Sequence, residues 1–205
     1  MLGDRKKLLS LALIVAGATL LSLGAREYIG SIWTQREAAK RWEDSSRTAA
    51  TKAGTKQAVP DLGPAFARLS IPRLESSWFV FPGVGKEELR LGPGHMPGSA
   101  LPGMRGNVII AGHRDTHFRV LKDVHEGDEL LVETRQGRFR YKVAKISIVK
   151  PTNTKALQDT AEPVMNLITC YPFYYLGSAP MRYIVEAHLA GDSGIVDARA
   201  RKQVH

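Results

Sequence analysis

Three side chains in this 205-residue chain combine reactive chemistry with a restrained position. Cys170, the only cysteine, ends the apolar run VMNLITC and is followed by YPFYYLGSAP. His113 follows NVIIAG and precedes RDTHF, and Arg182 stands at the start of MRYIVEAHL, just after SAP. Each lies where a rigid strand gives way to a polar loop, so the sheet holds it while solvent reaches it. A thiol attacks a carbonyl only as thiolate, and a nearby imidazole can take its proton or pair with the ion. The same imidazole can later protonate a leaving amine. Arginine keeps its charge and its rigid set of donors, which suits it to a substrate carbonyl or a developing oxyanion. The three are a sufficient set for covalent acyl transfer. Taken alone they leave open a buried structural cysteine, because free Cys is among the most buried residue types and such sites are recognised by geometry.

The elements that must position these residues are short. From about Ala65 to Ala190, apolar or alternating runs are separated by Gly, Pro and Asp clusters, the texture of an all-β domain. The expected strands are 66–71, 77–81, 107–112, 129–134, 138–149, 164–170 and 181–189. Seven such runs imply a barrel or a sandwich. KEELRLG (86–92) and HFRVLKDV (117–124) break strand alternation and read as single helical turns. The tail after Gly191 is polar and belongs outside the fold.

The formal charge of +9 is not concentrated on this domain. Before Pro60 there are ten Lys/Arg against five Asp/Glu, and after it nineteen against fifteen. That distribution places nucleic acid last among partners and points to a membrane-proximal role. Leu8 to Ala25 is an uncharged apolar run of spanning length, preceded by Arg5, Lys6 and Lys7. The positive-inside tendency then keeps residues 1–7 cytoplasmic, makes 8–25 a single-pass anchor in the cytoplasmic (inner) membrane, and sends the domain to the extracytoplasmic, periplasmic side. A cleaved signal peptide is the competing reading, disfavoured by the length of the run and by Leu23 upstream of Ala25. Residues 26–63 read as a juxtamembrane helix dissolving into a linker, 64–190 as the catalytic domain and 191–205 as the tail.

The remaining candidates are weaker. Asp115, two residues from His113, can orient it or cap the following turn, and the cap is the commoner use. Tyr171, Phe173, Tyr174 and Tyr175 can line a substrate groove or pack into the core. His113 and His117 have helical metal-pair spacing, but Gly112 at a strand end argues against a helix through both, and no closing ligand set follows. No metal or other cofactor is called for. His95 reads as a hydrogen-bonding loop residue, and His125 and His188 as surface residues.

The sequence around the three reactive residues resembles the sortases. Leu167-Ile168-Thr169-Cys170 resembles the Thr-Leu-x-Thr-Cys signature, AGHRDTHF the histidine motif, and RYIVEAHL the arginine-bearing last strand. The stretches LGPGHMPGSALPGMRGNVIIAGHRDTHF and TCYPFYYLGSAPMRYIV are similar to the flanking segments, especially in proteobacterial members. The likeness runs from about Arg68 to Ala190, in order and spacing. One departure is Asn166 at the first Thr of the signature, which leaves Thr169 as the residue expected to order the site.

The resemblance implies a closed β-barrel of about eight strands with short helices. It also implies a cysteine transpeptidase in which Cys170 attacks the Thr-Gly bond of a C-terminal Leu-Pro-x-Thr-Gly-like sorting signal. The thioacyl enzyme then passes its acyl group to an amine, from a peptidoglycan precursor or a protein subunit. His113 serves as acid and base, and Arg182 stabilises the oxyanion. A Cys/His peptidase that hydrolyses its intermediate and a silent membrane-anchored binding module are the rival readings.

Overall fold

A computed structural model describes residues 11, 13–22, 29–30, 32–42, 65–175 and 177–190. Eight strands form a closed barrel: β1 (Ala67–Ile71), β2 (Ser76–Pro82), β3 (Gly94–His95), β4 (Gly106–Ala111), β5 (Glu129–Glu133), β6 (Arg138–Val149), β7 (Pro163–Tyr171) and β8 (Met181–Leu189). Their order around the barrel is β1-β2-β3-β4-β7-β8-β6-β5, and pairing of β1 with β5 closes it. Closure removes the exposed edges that an open sheet would carry. Helix α1 (Lys86–Leu91) and 3-10 turns at Pro72–Leu74, His117–Asp123 and Lys155–Leu157 fill the connections.

All seven expected strands are present, with ends shifted by no more than a residue or two. The eighth, β3, lies inside LGPGHMPG, where two residues bounded by Gly and Pro are too few to show a period. The two expected helical turns are α1 and the 3-10 turn at His117–Asp123.

The core follows the strand period of two. Val108 and Ile110 of β4, Met165 and Leu167 of β7, and Val185 and Ala187 of β8 point inward and are fully buried with Leu69, Val132 and Tyr141. The alternate residues, including Asn107, Asn166, Cys170 and Arg182, therefore face outward. At one end of the barrel, Arg73 holds Asp128 with two hydrogen bonds of 2.5 and 2.7 Å, joining the turn after β1 to the start of β5.

Residues 32–42 are helical and pack against the barrel itself, with Ala38 buried in a small cluster with Ala65 and Phe81. Within the expected anchor, 11 and 13–22 are helical and their apolar side chains are uncovered, Leu20 and Leu21 at 70% and 76% exposure. Among the described residues no helix is long and apolar enough to cross a membrane. Residues 8–10, 12 and 23–25 of that run, most of the expected linker and the tail 191–205 lie outside the described residues.

Candidate active site

Strand register brings the three reactive residues together. Cys170 on β7 and Arg182 on β8 are directly opposed partners in an antiparallel pair, which puts both side chains on the same face of the sheet. Parallel pairing of β4 with β7 sets Ala111 opposite Ile168, and the Gly112 N–H continues the ladder to the Ile168 carbonyl at 3.1 Å. His113 thus comes level with Cys170, on the strand flanking it on the other side. Cys170 and Arg182 are half-buried and His113 is exposed.

Two residues around His113 fix its backbone. The Thr169 hydroxyl donates to the Gly112 carbonyl at 2.7 Å, and Thr169 is 3% exposed. It faces inward, opposite to Cys170, so it orders the site from behind. Gly112 is required by close approach: a Cβ there would lie 2.6 Å from the ring of the buried Phe118. The Arg182 guanidinium donates from Nη1 to the carbonyls of Met181 at 3.0 Å and Ala179 at 3.3 Å, which steadies it at the mouth of β8.

Asp115 is exposed, and among the described residues it makes neither the turn cap nor a hydrogen bond to His113. Thr116 occupies the cap position, without a side-chain bond. Asp115 acts on His117, whose imidazole is held below its usual range by burial first, then by the neighbouring His113, with Asp115 opposing. Tyr171 is not brought to the Cys170 face. One residue on, the pleat turns it inward, where it packs with Phe173 and Tyr183 at ring separations of 5.9 and 6.1 Å. The aromatic run therefore divides: Tyr171 and Phe173 pack in the core, while Tyr174 and Tyr175 are exposed on the β7–β8 loop.

Sequence reasoning missed Arg114. Its Nη2 donates to the carbonyls of Tyr175 at 2.8 Å and Gly177 at 2.9 Å, and its guanidinium lies over the Tyr175 ring. Arg119 lies over Tyr174 at 4.8 Å in the same way. The loop after His113 is thereby tied to the loop after Cys170. Backbone carbonyls leave no signature in the sequence, so these partnerships could not be read there.

Asn107 was missed too. Its Nδ2 donates to the carbonyls of Ala156 and Gln158, both at 2.8 Å, and its Oδ1 accepts from Asn166 Nδ2 at 2.9 Å. This pair fastens the β6–β7 connection over the outer face of β4 and β7 and gives the departing Asn166 a supporting part. Beside it lies a cavity of about 410 Å³, floored by Asn107 and Ile109 and walled by segment 96–100 and by Leu157 and Asp159. His95 braces that segment. It is stacked on Phe66 at 4.3 Å, with Nε2 2.9 Å from the Ala100 carbonyl, and is a buried structural residue.

Comparisons with known proteins bear on the fold and the family. The Sortase domain model matches residues 69–190. Sortase D of Bacillus subtilis is 33% identical over 192 residues, covering 88% of this chain and 96% of the relative. A solved Clostridium perfringens Sortase D5 transpeptidase superposes with a TM-score of 0.60 at 26% identity, covering 77% of this chain and 96% of that one. The catalytic domain of B. anthracis SrtD gives a TM-score of 0.55 at 33% identity, covering 68% of this chain and 97% of that one. With that family model spanning more than half its length, and a barrel whose β4, β7 and β8 ends carry histidine, cysteine and arginine in one row, the chain belongs to the sortase family of cysteine transpeptidases.

Proposed function

We propose that Cys170 is the nucleophile of this transpeptidase, His113 its acid and base, and Arg182 the support for the oxyanion. The observation that carries this is the register row in which Arg182 opposes Cys170 directly and Ala111 opposes Ile168 two residues earlier. The Cys170 thiolate attacks the threonine carbonyl of a Thr-Gly bond, and Arg182 receives the charge that develops on its oxygen. The C–N bond breaks, the glycine amine leaves with a proton from His113, and a thioester remains. An incoming amine gives its proton to His113, attacks the thioester and releases the thiolate.

The substrate reading is an extended Leu-Pro-x-Thr segment. Cys170 lies four residues beyond Asn166, which is paired with the cavity-lining Ile109, and four extended residues span about 13 Å. A segment whose threonine sits at Cys170 would lay its leucine three residues back, about 10 Å away, at the near edge of that cavity. The amine acceptor is a peptidoglycan precursor or a protein subunit. The run 8–25 is the anchor that holds enzyme and membrane-borne substrate on one extracytoplasmic surface, raising their effective concentration.

Intact-mass measurement with a Leu-Pro-x-Thr-Gly peptide tests this reading. The expected result is a mass gain equal to the acyl fragment on the wild type, discharged by added amine, with none on Cys170→Ala. No adduct across a panel of sorting-signal peptides, on folded protein with a free thiol, would overturn the substrate assignment. Adducts that only water discharges would make the protein a peptidase.

A further inference from the structure

The helical residues 32–42 are clamped to the barrel by a side chain that behaves like a strand partner. Gln35 accepts from the Phe79 N–H at 2.8 Å and donates to the carbonyls of Phe79 at 3.3 Å and Leu91 at 3.0 Å. It fills the gap that β3, only two residues long, leaves along β2. Gly92 is what lets it reach, since a Cβ there would lie 2.4 Å from Gln35 Nε2. Trp42 adds a contact to the Phe79 ring at 6.0 Å.

The place of the clamp matters. Phe81 pairs with Gly94, and Gly94 with Ala111. Two residues further toward the same end of the barrel, that row runs through Phe79, Gly92, His113, Cys170 and Arg182. The clamp therefore stands on the rim that carries the reactive residues.

The opposite face of the helix is turned from the barrel, with Trp33 at its edge bordering a groove of about 280 Å³ beside Ala38 and Phe81. Ile29, Ile32, Trp33, Arg36 and Lys40 follow the i, i+3, i+4, i+7, i+11 pattern of one helical stripe, and all five are exposed, Trp33 at 68%. Neither Arg36 nor Lys40 has a salt bridge among the described residues. The single acid of the described helix, Glu37, takes the i+8 place of the same stripe and is paired by Arg41, one turn on, at 3.3 Å. Apolar and aromatic side chains interleaved with the unpaired cations Arg36 and Lys40, beside one acid that Arg41 already neutralises, complement an anionic lipid surface: the apolar groups enter the head-group boundary and the cations meet phosphates.

We propose that this stripe lies on an anionic bilayer, and that the Gln35 clamp makes that contact hold the Cys170 rim at a fixed attitude to the membrane. The proposal rests on the membrane reading given above. It separates two tryptophans alike in sequence: Trp33 meets lipid, while Trp42 packs on the barrel.

The test uses the full chain reconstituted in phosphatidylcholine vesicles with or without phosphatidylglycerol, in a Trp42→Phe, Trp78→Phe background that leaves Trp33 as the sole tryptophan. Soluble-peptide activity verifies its fold. Brominated lipid is expected to quench Trp33 in anionic vesicles, and Arg36→Glu with Lys40→Glu to cut that quenching about twofold or more. Trp33 emission indifferent to bromine overturns the surface, as does its burial against a second copy shown by crosslinking. Alkaline carbonate extraction reads the anchor separately. A chain that is extracted yet quenched keeps the surface and removes the anchor; a chain that is retained yet unquenched does the reverse. For the clamp, Gln35→Ala is expected to slow transfer on a vesicle-held substrate about threefold or more while leaving a soluble peptide unaffected. Equal rates on both substrates would overturn the fixed attitude.

Discussion

The outer face of β5 and β6 and the outer face of β4 and β7 begin from the same pleat and end as different environments. On β5 and β6, Glu129, Glu133, Arg138 and Arg140 stand in solvent or at its edge and pair across strands, Arg140 with Glu129 at 3.6 Å and Arg138 with Glu133, which Arg68 of β1 also approaches at 3.8 Å. On β4 and β7, Asn107 and Asn166 are 3% and 2% exposed, because the β6–β7 connection lies over them, hydrogen-bonded to Asn107, which in turn accepts from Asn166. Exposed ion pairs gain little, since water solvates each partner nearly as well. Buried amides cannot fall back on water, so losing one partner leaves the other unpaired at full cost. A barrel thus acquires a site where its outside is covered, and the contrast predicts where substitutions will be felt.

The largest effect is expected at the end of the covered face. Arg182→Ala should slow acylation by about 10²- to 10³-fold, the usual loss for one oxyanion donor, read as adduct formation by rapid-quench mass measurement. A loss below tenfold would move the oxyanion role elsewhere. Gly112→Ala forces a Cβ to within 2.6 Å of Phe118 and should cost about 1–3 kcal/mol by overpacking, seen in chemical denaturation. It should also slow acylation, because His113 is the next residue. Asn107→Ala removes the donor to two carbonyls and the partner of Asn166, and about 1–3 kcal/mol is expected. Faster amide exchange confined to residues 155–159 would mark the β6–β7 connection as released.

His95, behind the covered face, sharpens the comparison through pH. Burial holds its imidazole below the usual value. Because the folded value lies below the unfolded one, its contribution to stability is complete above about pH 6.5 and is lost as pH falls through the folded value. Melting temperatures from about pH 7 down to about pH 5 should therefore fall more steeply for the wild type than for His95→Gln. Parallel curves would mean that the ring protonates without cost. The smallest effect belongs to the bare face, where Glu133→Gln should change stability by no more than about 0.5 kcal/mol despite its two arginine neighbours. A larger loss would erase the distinction between the faces.

Much of this was legible in the sequence. Alternation of apolar residues dictated seven strands and their inward sets, because a strand's period is local and each run carries it independently. The order of the cysteine, histidine and arginine motifs, each ending or opening a strand, was likewise local information. What only the tertiary structure decided depended on register and on the backbone. Whether Cys170 and Arg182 oppose each other is a matter of which residues pair, and a slip of one would send one of them to the wrong face. The same pleat turned Tyr171 inward, and the turn beyond β4 put Thr116, not Asp115, at the cap position. Arg114, Asn107 and Gln35 all bond to main-chain atoms distant in sequence. Every residue offers the same carbonyl, and every one but proline the same amide, so the sequence names the side chain and is silent about its partner until the barrel closes.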